Sequence, residues 1–307
     1  MSTNALRPGS RQLPIAGDPR QWTVRLTAEA ALLAAVASSL PAAAAAQDNP
    51  YTAALLAAFE DETMAQNAAV EGADSSRVAV VLAVLQIRFA NRWIMVDAGV
   101  DSAGTRQFAE APFTFRAARY DSIQTALRDA EHIVLTHEHY DHALGVQRGP
   151  YFRQVAARTL LAPEQRQSLL KPPGFGYVAM AKDSVAMLGS HDYKLISPLA
   201  PGVALIKAPG HTPGAQFVYV HLENGRELLL VGDLMWAMAG LTTNHQKPAA
   251  VSEAMKENRT FIQWEMDWVR SLMAAGTIVV IPAHDKQRFE SLAAGGILRE
   301  GLDLRRQ

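Results

Sequence analysis

Apolar residues along this chain recur in two periods, and the places where the period changes outline its elements. Val78–Arg88 and Trp93–Asp97 are β-branched and apolar runs around Ala90-Asn91, the pattern of a hairpin, and Gly99 allows a tight exit from the second. Val203–Lys207, Gln216–His221 and Glu227–Val231 read as further strands, the last two joined around Asn224-Gly225, a strong hairpin signal. His132–Thr136 and Thr277–Pro282 are short strands of the buried type. Helical spacing predicts Tyr51–Ala68, where Leu55, Leu56, Phe59 and Met64 stand among alanines and acids, and Ser122–Ala130. It also predicts one long amphipathic helix over Val251–Ala275, in which Phe261, Trp264, Trp268 and Leu272 recur at three and four. A closing helix over Lys286–Ala293 precedes a charged tail. Lys171–Asp192, with Pro172-Pro173-Gly174, lacks periodicity and is expected to be a loop or lid. No internal repeat or Pro/Ser linker interrupts Tyr51–Gln307, so residues 47–307 are expected to form one mixed α/β domain.

The N-terminus follows a different pattern. Arg7, Arg11, Arg20 and Arg25 precede the apolar stretch Ala30–Leu40, then Pro41 and the run Ala42–Ala46. Basic, apolar and small residues in that order are the layout of a secretory signal, with cleavage expected after Ala46. Residues 1–46 are therefore expected to be a signal peptide, or else a disordered leader, and the mature protein to be periplasmic or secreted; a cytoplasmic protein is the alternative. Glu29 through Ala46 is short for a membrane span and Pro41 interrupts it.

Composition narrows the classes. With 307 residues, 49% of them apolar, the chain is long enough for a packed core. A formal net charge of -1, without a dense Lys/Arg run, argues against a nucleic-acid partner and leaves a small-molecule substrate as the expected one. Cysteine is absent, which excludes disulfides and thiolate ligands. Oligomeric state is left open.

Candidate chemistry is concentrated in the run T-H-E-H-Y-D-H, which holds His137, His139, Asp141 and His142, and in His211, Asp233 and His284. Five of the nine histidines fall at these positions. His137 and His139, two apart in an extended loop, project the same way and can reach one ion; Asp141 and His142 can serve a second. Imidazole and carboxylate donors suit zinc best, with iron or manganese also admitted. Seven donors exceed the needs of one tetrahedral ion, so two divalent ions sharing a ligand are expected. A hydroxide held between two such cations is nucleophilic near neutral pH and would attack a carbonyl, phosphoryl or sulfuryl centre. Asp141 is the catalytic candidate, within reach to orient that nucleophile and carry a proton to the leaving group. Tyr140, between two of the ligands, is expected to pack or line a pocket, and His245, in the loop after Asp233, to face the cleft. Trp264 and Trp268, at helical spacing, are expected in the core.

H-E-H-Y-D-H, followed by G-H-T-P-G around His211, V-G-D at Asp233 and P-A-H-D at His284, resembles the metallo-β-lactamase fold superfamily, as does the upstream V-D-A-G. The resemblance covers roughly Val78 to Asp285, and the ligand set is similar to that of lactonase-like and glyoxalase II-like members. That similarity narrows the expected substrate to a lactone, ester or related carbonyl. It implies a four-layer αβ/βα sandwich with the metals in a cleft at one sheet edge. It also implies that His137, His139 and His211 hold the first metal, that Asp141, His142 and His284 hold the second, and that Asp233 bridges them. Asp97 would hydrogen-bond to the metal loop. Asp233 and the lack of cysteine point away from the true β-lactamases of the superfamily, which stay an alternative, as does a mononuclear iron sulfur dioxygenase. Several lactonases place a Tyr three residues after the bridging Asp; here that pocket position is Trp236.

Overall fold

The computed structural model describes residues 50–60, 63–108 and 113–305. The expected leader over residues 1–46 lies outside the described residues.

Two sheets carry the fold. The first comprises β1 (Thr52–Ala57), β2 (Ala83–Arg88), β3 (Trp93–Val96), β4 (His132–Val134), β5 (Thr159–Leu161) and β6 (Gly189–Ser190). The second comprises β7 (Ile196–Ala200), β8 (Val203–Lys207), β9 (Gln216–His221), β10 (Glu227–Gly232) and β11 (Ile278–Pro282), and β12 (Leu298–Glu300) returns to the first. The strand order is β6-β5-β4-β3-β2-β1-β12 in the seven-stranded sheet and β7-β8-β9-β10-β11 in the five-stranded one. Helices α1 (Ala117–Asp129), α2 (Tyr140–Gln147), α3 (Pro163–Leu170), α4 (Lys182–Met187), α5 (Ala249–Met255), α6 (Arg259–Ala275) and α7 (Lys286–Ala294) pack around them.

Strand periodicity sends alternate side chains to opposite faces, and the core divides accordingly. Leu85, Ile87, Ile94, Val96 and Val134 meet Leu205, Val218, Val220, Leu230 and Ile281 between the sheets. On the other face of the first sheet, Trp93, Met95 and Ile133 pack with Ile123 and Leu127 of α1 and Leu144 of α2. Outside the second sheet, Trp268 of α6 stacks on Phe217 of β9 at 6.1 Å. Helix, sheet, sheet, helix is the layering expected of the four-layer sandwich.

Three expectations are corrected. Tyr51–Ala68 is not a helix: it contains β1, the short strands Phe59–Glu60 and Thr63–Ala65, and a single turn at Gln66–Ala69. β1 lies between β2 and β12, with Ala53 and Ala54 fully enclosed. An alanine- and leucine-rich run buried on both faces looks the same in sequence whether strand or helix, so tertiary pairing decides it. Val251–Ala275 is two helices, because Lys256 takes a left-handed φ of 63° and Asn258 caps α6, accepting from the Phe261 N–H at 3.1 Å. The stripe of α6 that is buried is Ile262, Met266 and Val269, one position round from the aromatic stripe, which is half-buried. The charged tail is also tied down: β12 pairs in parallel with β1, and Asp303 exchanges two hydrogen bonds with Gln86 at 2.9 Å each.

Candidate metal centre

The topology gathers the candidate ligands. β3 and β4 are parallel, so Asp97 and the 136–139 loop leave the first sheet at the same edge. In the second sheet β10 and β11 are parallel, and β8 runs with them because both pair antiparallel to β9. His211, Asp233 and His284, which follow β8, β10 and β11, therefore emerge together. His139 caps α2, whose first turn presents Asp141 and His142. That helix approaches very closely: a Cβ added at Gly145 would stand 1.9 Å from the Ala98 carbonyl oxygen, so only glycine fits there.

All seven candidates meet in two groups. His139 Nδ1 is 3.1 Å from His137 Nε2 and 3.0 Å from His211 Nε2. Tetrahedral coordination with metal–nitrogen bonds of about 2.0–2.1 Å separates ligand atoms by about 3.3 Å, so three nitrogens at these distances fit one ion. In the second group, His284 Nε2 lies 3.4 Å from both His142 Nε2 and Asp141 Oδ2. Asp233 stands between the groups. Its Oδ1 is 3.0 Å from His284 Nε2 and 3.3 Å from His142 Nε2, while its Oδ2 is 3.6 Å from His211 Nε2 and 3.8 Å from His137 Nε2. The carboxylate thus lies between the groups: Oδ1 faces the second, and Oδ2 reaches both, since it is also 3.2 Å from His284 Nε2.

The outer ring nitrogens decide which nitrogen faces inward. His142 Nδ1 is 2.8 Å from Asp97 Oδ2, His211 Nδ1 is 2.6 Å from Glu257 Oε1, His284 Nδ1 donates to the Val81 carbonyl at 2.8 Å, and His137 Nδ1 lies 3.2 Å from Thr136 Oγ1. Each leaves Nε2 as the inward lone pair. Asp97 also accepts from the Thr136 N–H at 2.7 Å and from its hydroxyl at 2.9 Å. It does this from a left-handed φ of 64°, a conformation costing a non-glycine residue on the order of 1 kcal/mol or more. The hydrogen-bonding role expected of Asp97 is thus present.

Charge explains why the cluster suits cations. Among the described residues, the carboxylates of Asp97, Asp141, Asp233 and Glu257 pair with the histidines, and the ammonium that joins them is Lys247. Burial would push the His142 and His284 imidazoles down. For His142 the facing carboxylates of Asp97, Asp141 and Asp233 outweigh burial and hold it well above the usual histidine range. His284 is lifted to about 9, mainly by Asp233. Burial and neighbouring rings hold His137 and His139 well below that range. Burial would raise Asp233, yet the rings of His284, His137 and His142 hold it well below the carboxylate range. Asp233 Oδ1 is buried without a hydrogen-bond partner. The donor set, its spacing and its excess negative charge fit two divalent ions.

The other expected residues are placed as follows. Trp236 is buried and its indole N–H donates to Asp233 Oδ2 at 2.8 Å, so it acts on the shared carboxylate. Tyr140 is half-buried and packs against the core cluster below α2. His245 is exposed, in the turn where its N–H bonds to the Gly240 carbonyl. The segment 171–192 is irregular up to α4 and touches the site: the Tyr140 N–H bonds to the Gly176 carbonyl at 2.8 Å, and the buried Tyr177 ring stands edge-on to His139 at 4.5 Å. Glu257, Lys247 and Tyr177 are additions that the sequence reading does not contain. The first of these had one usable signal, the capping residue Asn258, which marks a helix start directly after Glu257.

Comparison with known proteins shows what the chain is similar to. Residues 80–159 match the model of the metallo-beta-lactamase superfamily. An N-acyl homoserine lactonase of Bacillus cereus is 28% identical over 160 residues, which is 46% of this chain and 58% of that protein, so the chain spans just over half of the curated relative's length. Among solved structures, a quorum-quenching N-acyl homoserine lactone lactonase superposes with a TM-score of 0.62 at 15% identity, covering 80% of this chain and 96% of the other. A dizinc quorum-quenching lactonase with its product bound gives 0.55 at 15% identity, covering 78% and 89%. At these identities the structural likeness shows the fold.

Proposed function

We propose that this chain, which carries a metallo-beta-lactamase superfamily domain, is a binuclear metal-dependent hydrolase acting on a lactone or related ester. The observation that supports the reading is Asp233, whose carboxylate lies between two groups of nitrogens and reaches His284 on one side and His211 on the other. Two divalent ions, most simply zinc, would be held by His137, His139 and His211 on one side and by Asp141, His142 and His284 on the other. When bound, such ions supply a nucleophilic water near neutral pH and polarise a carbonyl oxygen.

The protein's own groups do the rest. Asp97, Glu257, Val81 and Thr136 keep the Nε2 atoms of four histidines turned inward, so the donor geometry is set before any ligand arrives. Asp141, the less buried of the two acidic ligands, is the group placed to take a proton from the nucleophile and return it to the leaving oxygen. Phe175, exposed beside the Gly176-Tyr177 pair that packs on His139, offers apolar surface for a substrate with a hydrophobic portion. The likeness to lactonases supports a cyclic ester as the substrate class.

The test is hydrolysis by metal-reconstituted and metal-free protein of lactones, aryl esters, phosphodiesters, sulfate esters and β-lactams. Metal-dependent turnover fastest on lactones or activated esters supports the reading; faster turnover of penicillins or carbapenems overturns it. The 1–46 leader is proposed to direct export. A chain beginning near Gln47 in a periplasmic extract supports this, and an intact Met1 in the cytoplasm overturns it.

A further inference from the structure

Two buried charged residues outside the ligand set lie behind one of the two groups. The chain breaks between α5 and α6, and the turn at Lys256 directs Glu257 inward. Its side chain is 1% exposed, and Oε1 sits 2.6 Å from His211 Nδ1. The same oxygen is 2.7 Å from the Nζ of Lys247, whose side chain is fully enclosed. Lys247 Nζ also donates to the main-chain carbonyl of Asp233 at 2.6 Å and stands 5.1 Å from the centre of the Trp236 ring. Trp236 in turn donates to Asp233 Oδ2. His211 and Asp233, which follow strands β8 and β10, are therefore tied to one ammonium group.

Taking a lysine and a glutamate out of water costs several kcal/mol per ion before they pair, and an apolar pair of the same volume would pack without that cost. What an apolar pair cannot do is accept the Nδ1 proton of His211. Without an acceptor there, that ring is free to carry its proton on Nε2, the atom that faces His139 and Asp233. Lys247 supplies the counter-charge that keeps Glu257 ionised and aimed, and its second bond holds the Asp233 backbone in register. The opposite group has separate supports, Asp97 on His142 and the Val81 carbonyl on His284.

We propose that Lys247 and Glu257 are a positioning pair that acts first on the His137/His139/His211 site through His211, and on the Asp141/His142/His284 site only through the shared Asp233. The inference rests on the metal-centre reading above, and its test measures metal binding without turnover. Full-length protein is titrated with Co2+ and with Zn2+ against a chromophoric chelator, for the wild type, Glu257→Met and the double variant Lys247→Met/Glu257→Met, in which no acceptor is left for the His211 Nδ1 proton. The double variant removes both charges at once, so it leaves no lone buried ion if the single one fails to fold.

Loss of a ligand's supporting hydrogen bond weakens metal binding by about 10–100-fold. We expect that loss for one of the two ions in both variants, a much smaller change for the second ion, and an altered Co2+ absorption band for the weakened site. Folded variants that bind both ions as the wild type does, or that lose both ions equally, overturn the inference alone. A wild type that binds no divalent ion overturns the metal-centre reading with it.

Discussion

Replacing Asp97 by Asn tests the most local piece of the reasoning, because it keeps the side chain's shape while removing its charge and turning one acceptor atom into a donor. Asparagine tolerates the left-handed φ of 64° and keeps a carbonyl oxygen for the Thr136 N–H at 2.7 Å. The new amide nitrogen takes the place of Oδ2, 2.8 Å from His142 Nδ1. Two donors then face each other, and the arrangement is relieved only if His142 moves its proton to Nε2, the nitrogen that stands 3.3 Å from Asp233 Oδ1. That tautomer has no lone pair for a metal. The expected loss is about 10–100-fold in affinity for one ion, or about 1.4–2.8 kcal/mol. Chelator competition with Zn2+ reads the two affinities separately, and circular dichroism confirms the fold. An Asp97→Asn protein with both wild-type affinities would refute the assignment of His142 Nε2 as a ligand and of Asp97 as the group that selects its tautomer.

Other perturbations bear on different parts of the account. Asp233→Ala removes the carboxylate shared by both groups and should reduce metal content towards one ion while nearly abolishing turnover; elemental analysis showing two ions at full rate would exclude the bridging role. Gly145→Ala places a methyl within 1.9 Å of the Ala98 carbonyl and must displace α2, which carries Asp141 and His142. It should cost about 1–3 kcal/mol or more and lower metal content, and a melt and metal content equal to wild type would contradict that. Glu265 is enclosed beside the Gly210 N–H it accepts at 2.9 Å, and burial, only partly offset by that bond and Lys247, lifts its carboxyl to about 8. Its folded value is raised, so its contribution is fully present below its unfolded value of 4.5 and is lost as pH rises through about 8. Wild type should lose up to about 1.4 kcal/mol per pH unit in that window through this group. Glu265→Gln should remove that slope, and parallel denaturation curves for the two proteins at pH 5 and pH 8 would refute it.

The ligand residues are legible in sequence because each follows a short apolar strand, directly or past a turn, and the parallel strand pairs β3/β4 and β10/β11 carry strand ends to one place. Asp97 is legible for the same reason. Glu257 and Lys247 are not, because their roles depend on a chain break at Lys256 that helical periodicity runs straight through, and on partners far away in the chain. Trp236 is found by its offset from Asp233, yet only the folded geometry shows the indole serving the carboxylate. The misreading of Thr52–Ala57 has the opposite cause: local propensity favours a helix, and the pairing with β2 and β12 that overrides it involves residues 83–88 and 298–300.

The central claim is that this cluster holds two divalent ions and uses both. Purified protein stripped with chelator and reconstituted with Zn2+ should retain two ions per chain after gel filtration, and lactone hydrolysis should rise as the second equivalent is added. One ion per chain, with oxygen consumption in place of hydrolysis when iron is supplied, or no retained ion at all, would contradict it.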